Sequence, residues 1–420
     1  MKLSALSFEN YKAFSKRETI EVKPLTIIIG RNSSGKSVIT RLPLLMAYAL
    51  SERAESPFEL EIDGLDFGTS FIDLIHNRSP HGAVGMGATF TDDDGQTMEF
   101  WAKVQHFDEY RLQLISRFEL RQMGKPKCTL SWIGKEPLDE RTLYRLEETG
   151  EKCQVSFRGL WPQFDSLLKL ATQIEDNRRN LAEVMARITY LGPFRKEPQR
   201  RYRFPGGVLH NVGLSGSRTA ELLGDDFLRN RGRVLEAVGE WFSQYLGGWE
   251  LGLSKQGEGE DFSLVMKSPD NPSLEINLAD VGTGIAQILP IVVQRQFEAI
   301  TGKNGRIEIV EQPELHLHPG ANGDLADLYI EAAKHSDARF IIETHAENFL
   351  LRIRRRIAEK AFDSNQVIIY WINDDPNLGE RIQTIHIEKN GDVDKWPQGV
   401  FYEDFEEVKN IRKAQKEFWS

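Results

Sequence analysis

Gly30-Arg31-Asn32-Ser33-Ser34-Gly35-Lys36-Ser37 sets two glycines, a lysine and a hydroxyl at the spacing GxxxxGK[ST]. A loop of that pattern wraps a phosphate with its backbone N–H groups, and the helix that follows adds positive potential from its N-terminus. Lys36 would then reach the β- and γ-phosphates of a nucleotide, and Ser37 would ligate Mg²⁺. The loop's usual complement is an acidic side chain at the end of a neighbouring buried strand, holding the metal through water. Glu311 meets that description at the end of Arg306-Ile307-Glu308-Ile309-Val310-Glu311, and Gln312-Pro313-Glu314-Leu315-His316-Leu317-His318-Pro319 follows it. The plainer alternatives are a glycine-rich turn without a ligand and an ordinary strand-to-turn segment.

Elements able to position these residues are visible around them. Leu25-Thr26-Ile27-Ile28-Ile29 is a β-branched run without polar alternation, as expected of a strand buried on both faces, and it ends one residue before Gly30. After Ser37, Ile39, Leu42, Leu45, Met46 and Ala49 form one helical stripe. Leu3 to Phe8 and Thr19 to Val22 read as strands, and Ala88 to Phe157 alternates strand-like segments with polar or glycine turns, an antiparallel meander. Helical periodicity runs from Phe164 to Leu191, through Leu167, Leu168, Ala171, Ile174, Leu181, Met185 and Ile188, and returns from Thr219 to Tyr245. From Phe262 strands and helices alternate (Ile285 to Ile300, Arg306 to Glu311, Ala321 to Ala333, Arg339 to Glu343, Glu347 to Ala361, Gln366 to Ile372), which argues for a parallel sheet flanked by helices. The expected division is an N-terminal lobe over 1–159, a helical lobe over 160–260 and a C-terminal α/β lobe over 261–420.

Composition narrows the class. The chain has 420 residues, 40% hydrophobic and 28% charged, which excludes a disordered or collagen-like protein. Its 53 basic and 63 acidic residues leave a net charge of −10, so a uniformly basic nucleic-acid-coating surface is excluded while local basic patches are not. Two cysteines, Cys128 and Cys153, make no disulfide or zinc framework and fit a reducing cytoplasm. No secretory signal is read at the N-terminus, and the longest apolar stretches fall far short of the roughly 18–20 residues of a membrane span. A long heptad coiled coil is also absent from the pattern.

The order of the 30–37 loop, Asp280-Val281-Gly282-Thr283-Gly284-Ile285-Ala286-Gln287, the 311–319 segment and Ile341-Ile342-Glu343-Thr344-His345 resembles the ABC-type ATPase heads of the SMC, RecF and OLD families. More narrowly it resembles stand-alone prokaryotic AAA-type ATPases of that group that end in a short domain of unknown function. Tyr190-Leu191-Gly192-Pro193-Phe194-Arg195 and the tail from Glu388 to Phe401 are similar to that family too. The resemblance implies an α/β P-loop NTPase fold, ABC/SMC-head-like, with an antiparallel β meander and a helical lobe. It implies ATP and Mg²⁺ as ligands, with Gly282 and Gly284 capping the γ-phosphate held by another protomer and His345 as a switch histidine touching that phosphate. Two heads would close around composite sites, giving a homodimer or higher even oligomer. A separately encoded effector, a nuclease by preference, is the implied partner, in DNA maintenance or anti-phage defence; DNA is a further candidate ligand and a membrane is not.

The sequence departs from the pattern in places. Ala279-Asp280-Val281 stands where a serine usually precedes the signature glycines, and no clear glutamine loop lies between Ser70 and Ser79. Gln312 occupies the position where many relatives carry the glutamate that polarises the attacking water. A glutamine orients water without accepting its proton, as in small GTPases. Three accounts stay open: a native glutamine with slow hydrolysis, a base shifted to Glu314, or a glutamate-to-glutamine trap. An ATP-locked scaffold with little turnover is the alternative function; a transporter subunit is a third reading, which the missing glutamine loop disfavours.

Other candidates resolve to plainer roles. His316 and His318 lack a third metal ligand at useful spacing. Asp374-Asp375 heads a turn-like Asp-Asp-Pro-Asn rather than a nuclease centre. The basic clusters Arg195-Lys196 with Arg200-Arg201-Tyr202-Arg203, and Arg352 with Arg354-Arg355-Arg356, would contact phosphate or form salt bridges with the abundant carboxylates.

Overall fold

The computed structural model describes residues 1–134, 142–164, 168–255, 261–271, 273–302, 306–375, 380–396, 411–412 and 415. Leu167 and Pro397 to Phe401 of the family-like tail lie outside them. Two sheets dominate the described residues. The one that carries the site contains β1 (Leu25–Gly30), followed by α1 (Lys36–Leu50); β2 (Ile188–Leu191); α2 (Thr283–Thr301); β3 (Ile307–Glu311) and α3 (Pro319–His335); β4 (Arg339–Glu343) and α4 (Glu347–Ala358); and β5 (Val367–Ile372) with β6 (Ile382–Ile385). Its strand order is β2-β3-β4-β1-β5-β6, parallel except for the β5–β6 hairpin.

Each strand of this sheet feeds two cores by its alternation. Ile28, Ile307, Ile309, Ile341, Ile368 and Tyr370 point to one core, with α1 and the helix Leu168–Met185. Leu25, Ile27, Ile29, Val310, Phe340, Ile342, Val367 and Ile369 point to the other, with α2, α3 and α4. Burial on both faces is why these strands read as continuous apolar runs rather than alternating ones.

The second sheet is nine-stranded and antiparallel, running from Trp161–Phe164 through the meander to Ala83–Thr91, Lys2–Glu9 and Glu18–Glu21. It covers the α1 side of the parallel sheet and shares its core. The meander expected from Ala88 to Phe157 therefore extends to Phe164 and takes in the N-terminal strands, a pairing that no local pattern encodes.

The stretch 160–260 divides between both cores. The helix Leu168–Met185 packs on α1, where Arg178 Nη1 donates to Leu50 O at 3.3 Å. Ile188, which falls on the helical stripe, instead opens β2, whose Ile-Thr-Tyr-Leu run pairs with β3. The periodic segment from Thr219 to Tyr245 is two helices, Thr219–Arg229 and Arg233–Tyr245, separated where Gly232 takes a left-handed φ of 70°. No helix among the described residues is long and apolar enough to cross a membrane.

Candidate nucleotide site

β1, β3 and β4 end at one edge of the parallel sheet, and the chemistry sits there. Glu311 and Glu343 are register partners at the ends of β3 and β4, and β4 pairs in turn with β1. Gly30 turns the chain out of β1 against β5: a Cβ there would lie 2.6 Å from Ile372 O, so only glycine fits. Arg31, Asn32 and Ser33 form the exposed crest, with Ser33 in left-handed backbone at φ 63°, and Ser34 is buried beneath them. Gly35 is the N-cap of α1, so α1 starts at Lys36 with its N-terminus facing the loop.

Lys36 is only 4% exposed. Its Nζ donates to Gly30 O at 3.0 Å and Arg31 O at 2.6 Å, folded back onto the loop. Burial lowers its pKa, opposed by the charges of Glu343, Glu314, Asp374 and Glu311. Ser37 Oγ donates to Glu343 Oε2 at 2.9 Å. Glu311 is engaged elsewhere: Oε1 accepts from Thr40 Oγ1 at 2.8 Å and Arg41 Nε at 3.0 Å, and Oε2 accepts from Arg41 Nη2 at 3.0 Å. Burial and the adjacent Glu311 charge push the Glu343 carboxyl up to about 7.

The turn after β3 is tied to the segment after β4. Gln312, at φ 45°, donates its N–H to Glu343 O at 2.7 Å. Glu314 accepts from Thr344 Oγ1 (2.9 Å) and from the His345 N–H (2.6 Å), and burial raises its pKa against these bonds. Burial, with the Lys36 charge, pulls the His345 imidazole down to about 4, and its buried Nε2 has no hydrogen-bond partner. The Ser34 hydroxyl is a second buried polar atom without a partner. A buried cation, unpartnered polar atoms and an open helix N-terminus fit a polyphosphate with its cation.

The structure thus brings Lys36, Ser37, Glu311, Glu314 and His345 to one edge. Gly282 and Gly284 are at the exposed start of α2, and a Cβ on Gly284 would lie 2.9 Å from His316 O. That close approach sets the start of α2 against the 312–318 turn; among the described residues no hydrogen bond links either glycine to the 30–37 loop. His318 caps α3, its Nδ1 accepting from Gly320 N at 3.2 Å. Asn373 and Asp375 form a side-chain turn. In the second basic cluster, Arg352 and Arg356 pair with Asp327, and Arg355 with Glu359. Arg200 forms a two-pronged pair with Asp280. Arg195 is 5% exposed and donates to Glu311 O and Gln312 O at 3.0 and 3.2 Å, so it holds the main chain after β3. Burial lowers its pKa to about 10.

Glu343 and Arg41 escape the sequence reading. Arg41 lies four residues after Ser37, on the same helix face, and that spacing was the available signal. Glu343 immediately precedes Thr344-His345, yet its position opposite Ser37 follows only from the strand order.

An AAA ATPase domain model matches residues 1–119 and 248–350, and the chain belongs to that family. Its parallel sheet, with the 30–37 loop between β1 and α1, is the architecture expected of such an ATPase domain. It is 22% identical over 395 residues to an OLD nuclease of Thermus scotoductus, an alignment covering 91% of this chain and 66% of the relative. The chain thus spans slightly under two thirds of that protein. Among solved structures it is similar to an SMC head bound to the C-winged helix domain of ScpA, with 14% identity, 93% of this chain and 99% of the other covered, and a TM-score of 0.48. An SMC head domain from Thermotoga maritima gives 13%, 92% and 100%, and 0.44.

Proposed function

We propose that this chain binds and slowly hydrolyses ATP at the 30–37 loop in a Mg²⁺-dependent reaction, and that ATP closes two copies into a homodimer or higher even oligomer. The observation that carries the reading is the buried Lys36 at the start of α1, among carboxylates and beside the unpartnered His345 Nε2. The 30–37 N–H groups and Lys36 bind and orient the phosphates. Ser37 and a carboxylate at the neighbouring strand ends would hold Mg²⁺, which would supply positive charge to offset that of the phosphates. His345, neutral at pH 7, offers Nε2 to the γ-phosphate. Gln312 orients the attacking water, while Glu314, with both oxygens already accepting, braces the His345 segment rather than taking the proton. Gly282 and Gly284 at the exposed start of α2 are where a second copy's nucleotide would be capped.

In the cell the closed dimer controls a separately encoded effector, a nuclease by preference, in DNA maintenance or anti-phage defence. The OLD relative's name supports that choice, and DNA is a candidate activator. The second reading, an ATP-locked scaffold, is favoured by Gln312. Steady-state Mg²⁺-ATP turnover with and without duplex DNA tests both. Turnover that Lys36→Ala lowers by roughly 100-fold or more supports the ATPase; tight ATP binding with no second turnover supports the scaffold; no nucleotide binding defeats both.

A further inference from the structure

We propose that Glu343 is the metal-side carboxylate of this site and that Glu311 serves as the counter-ion of Arg41; the proposal rests on the nucleotide reading above. The two carboxylates are register partners on adjacent parallel strands, so either is in reach of the first turn of α1. They differ in what they hold. Both Glu311 oxygens accept from the Arg41 guanidinium, and Oε1 accepts from Thr40 as well. The Glu311 side chain is 2% exposed and that of Arg41 30%. Arg41 cannot lose its charge and has only donors, so a move of Glu311 to a metal leaves a half-buried guanidinium without its carboxylate, with the neutral Tyr190 hydroxyl in place of a counter-ion.

Glu343 has no such commitment: its bond is to the Ser37 hydroxyl. A divalent cation would take the Ser37 oxygen itself, so breaking that hydrogen bond orphans no group. The geometry agrees. Mg²⁺ binds oxygens at about 2.0–2.1 Å in an octahedron, whose neighbouring ligands are about 2.9 Å apart; Ser37 Oγ and Glu343 Oε2 are 2.9 Å apart. The pair already stands at the spacing of two adjacent ligands. A cation there would also offset the repulsion between two carboxylates at the ends of neighbouring strands.

The test titrates Mn²⁺, an EPR-visible substitute for Mg²⁺, into the full chain with the non-hydrolysable analogue AMP-PNP. Fluorescent ATP binding in EDTA serves as the metal-free control. Glu343→Gln should bind Mn²⁺ roughly tenfold or more weakly while metal-free nucleotide binding is retained or tightened, since a carboxylate beside the phosphates is removed. Glu311→Gln should lose less Mn²⁺ affinity than Glu343→Gln while lowering the unfolding midpoint, because Arg41 loses its partner. The opposite ranking, or unaltered Mn²⁺ affinity in Glu343→Gln, overturns the proposal. Glu343→Thr, a good strand former, gives the same comparison if the glutamine variant does not fold. Failure of the unaltered chain to bind nucleotide at all overturns the functional reading instead, an outcome separate from the ranking of the two carboxylates.

Discussion

Glu308 and Glu311 lie three residues apart on β3 and serve opposite faces of the same sheet. Glu308 meets α2 and α3: it is ion-paired to Arg295 and accepts from Tyr329 Oη at 3.2 Å, while Arg295 and Arg306 also pair with Glu298. Here two arginines answer two glutamates by direct contact, and the Glu308 and Arg295 side chains are 3% and 4% exposed. Glu311 meets α1, where Arg41 answers it, but Glu343 beside it touches only a hydroxyl, and Lys36 turns to backbone carbonyls. Charges that are buried and matched hold elements together; charges that are buried and short of a direct partner mark where a ligand completes the set. The closed cluster joins α2 to β3, and the open one joins the 30–37 loop and α1 to the same strand.

The largest effect expected from this contrast is on stability. Arg295→Met leaves Glu308 buried without its ion-pair partner and Glu298 with Arg306 alone, which costs about 3–5 kcal/mol in denaturant unfolding. ATP affinity, measured under conditions where the variant is folded, should stay within about threefold, since the closed cluster touches no phosphate. A loss under about 1 kcal/mol would mean the cluster admits water and is not closed. Replacing Arg295, Glu298 and Glu308 together by apolar residues should recover much of the loss, because a buried ion cluster is expensive chiefly when broken.

The next effect is on turnover and belongs to the open edge. Gln312 cannot accept a proton, so Gln312→Glu should raise steady-state ATP turnover by roughly tenfold or more, within the range of general-base contributions. The substitution keeps the backbone bond from residue 312 to Glu343 O and asks little of the fold. Unchanged turnover would shift the base to Glu314 despite its two hydrogen bonds, and Glu314→Gln would then abolish what turnover there is.

The same contrast explains what the sequence discloses and what it withholds. Leu25–Gly30, Lys36 to Ser37 and Ile307–Glu311 are legible because each is a local pattern: an apolar run, a glycine spacing, an acid at a strand end; His345 is singled out only through the family resemblance. The AAA family match and the parallel sheet agree with the fold read from those segments. Ile188 misleads because a short apolar stretch following a helix carries no period of its own, and its partner β3 lies more than 100 residues away. The Glu308 cluster is invisible in sequence, since a glutamate inside an apolar strand reveals its partner only once α2 is packed. Glu343 and Arg195 are withheld for the same reason: what each side chain touches is decided by which strands are neighbours.

The smallest effect is a pair of opposed pH slopes at the open edge, measured without metal or nucleotide. His345 has its pKa pulled from 6.5 down to about 4, so the folded chain binds fewer protons than the unfolded one across that window. Stability from this source is present above pH 6.5 and is lost as the pH falls toward 4. Glu343 runs the other way, its pKa pushed from 4.5 up to about 7, so its share is present below pH 4.5 and is lost as the pH rises toward 7. Denaturant unfolding from pH 4 to 7.5 separates them. His345→Gln should gain on the unaltered chain toward pH 4, and Glu343→Gln toward pH 7.5, each by on the order of 1–2 kcal/mol once the partial exposure of His345 is allowed for. Difference curves flat to within about 0.5 kcal/mol would show that water already solvates both groups. The open edge would then be no drier than ordinary surface, and the distinction between the two faces of β3 would rest on Arg295 alone.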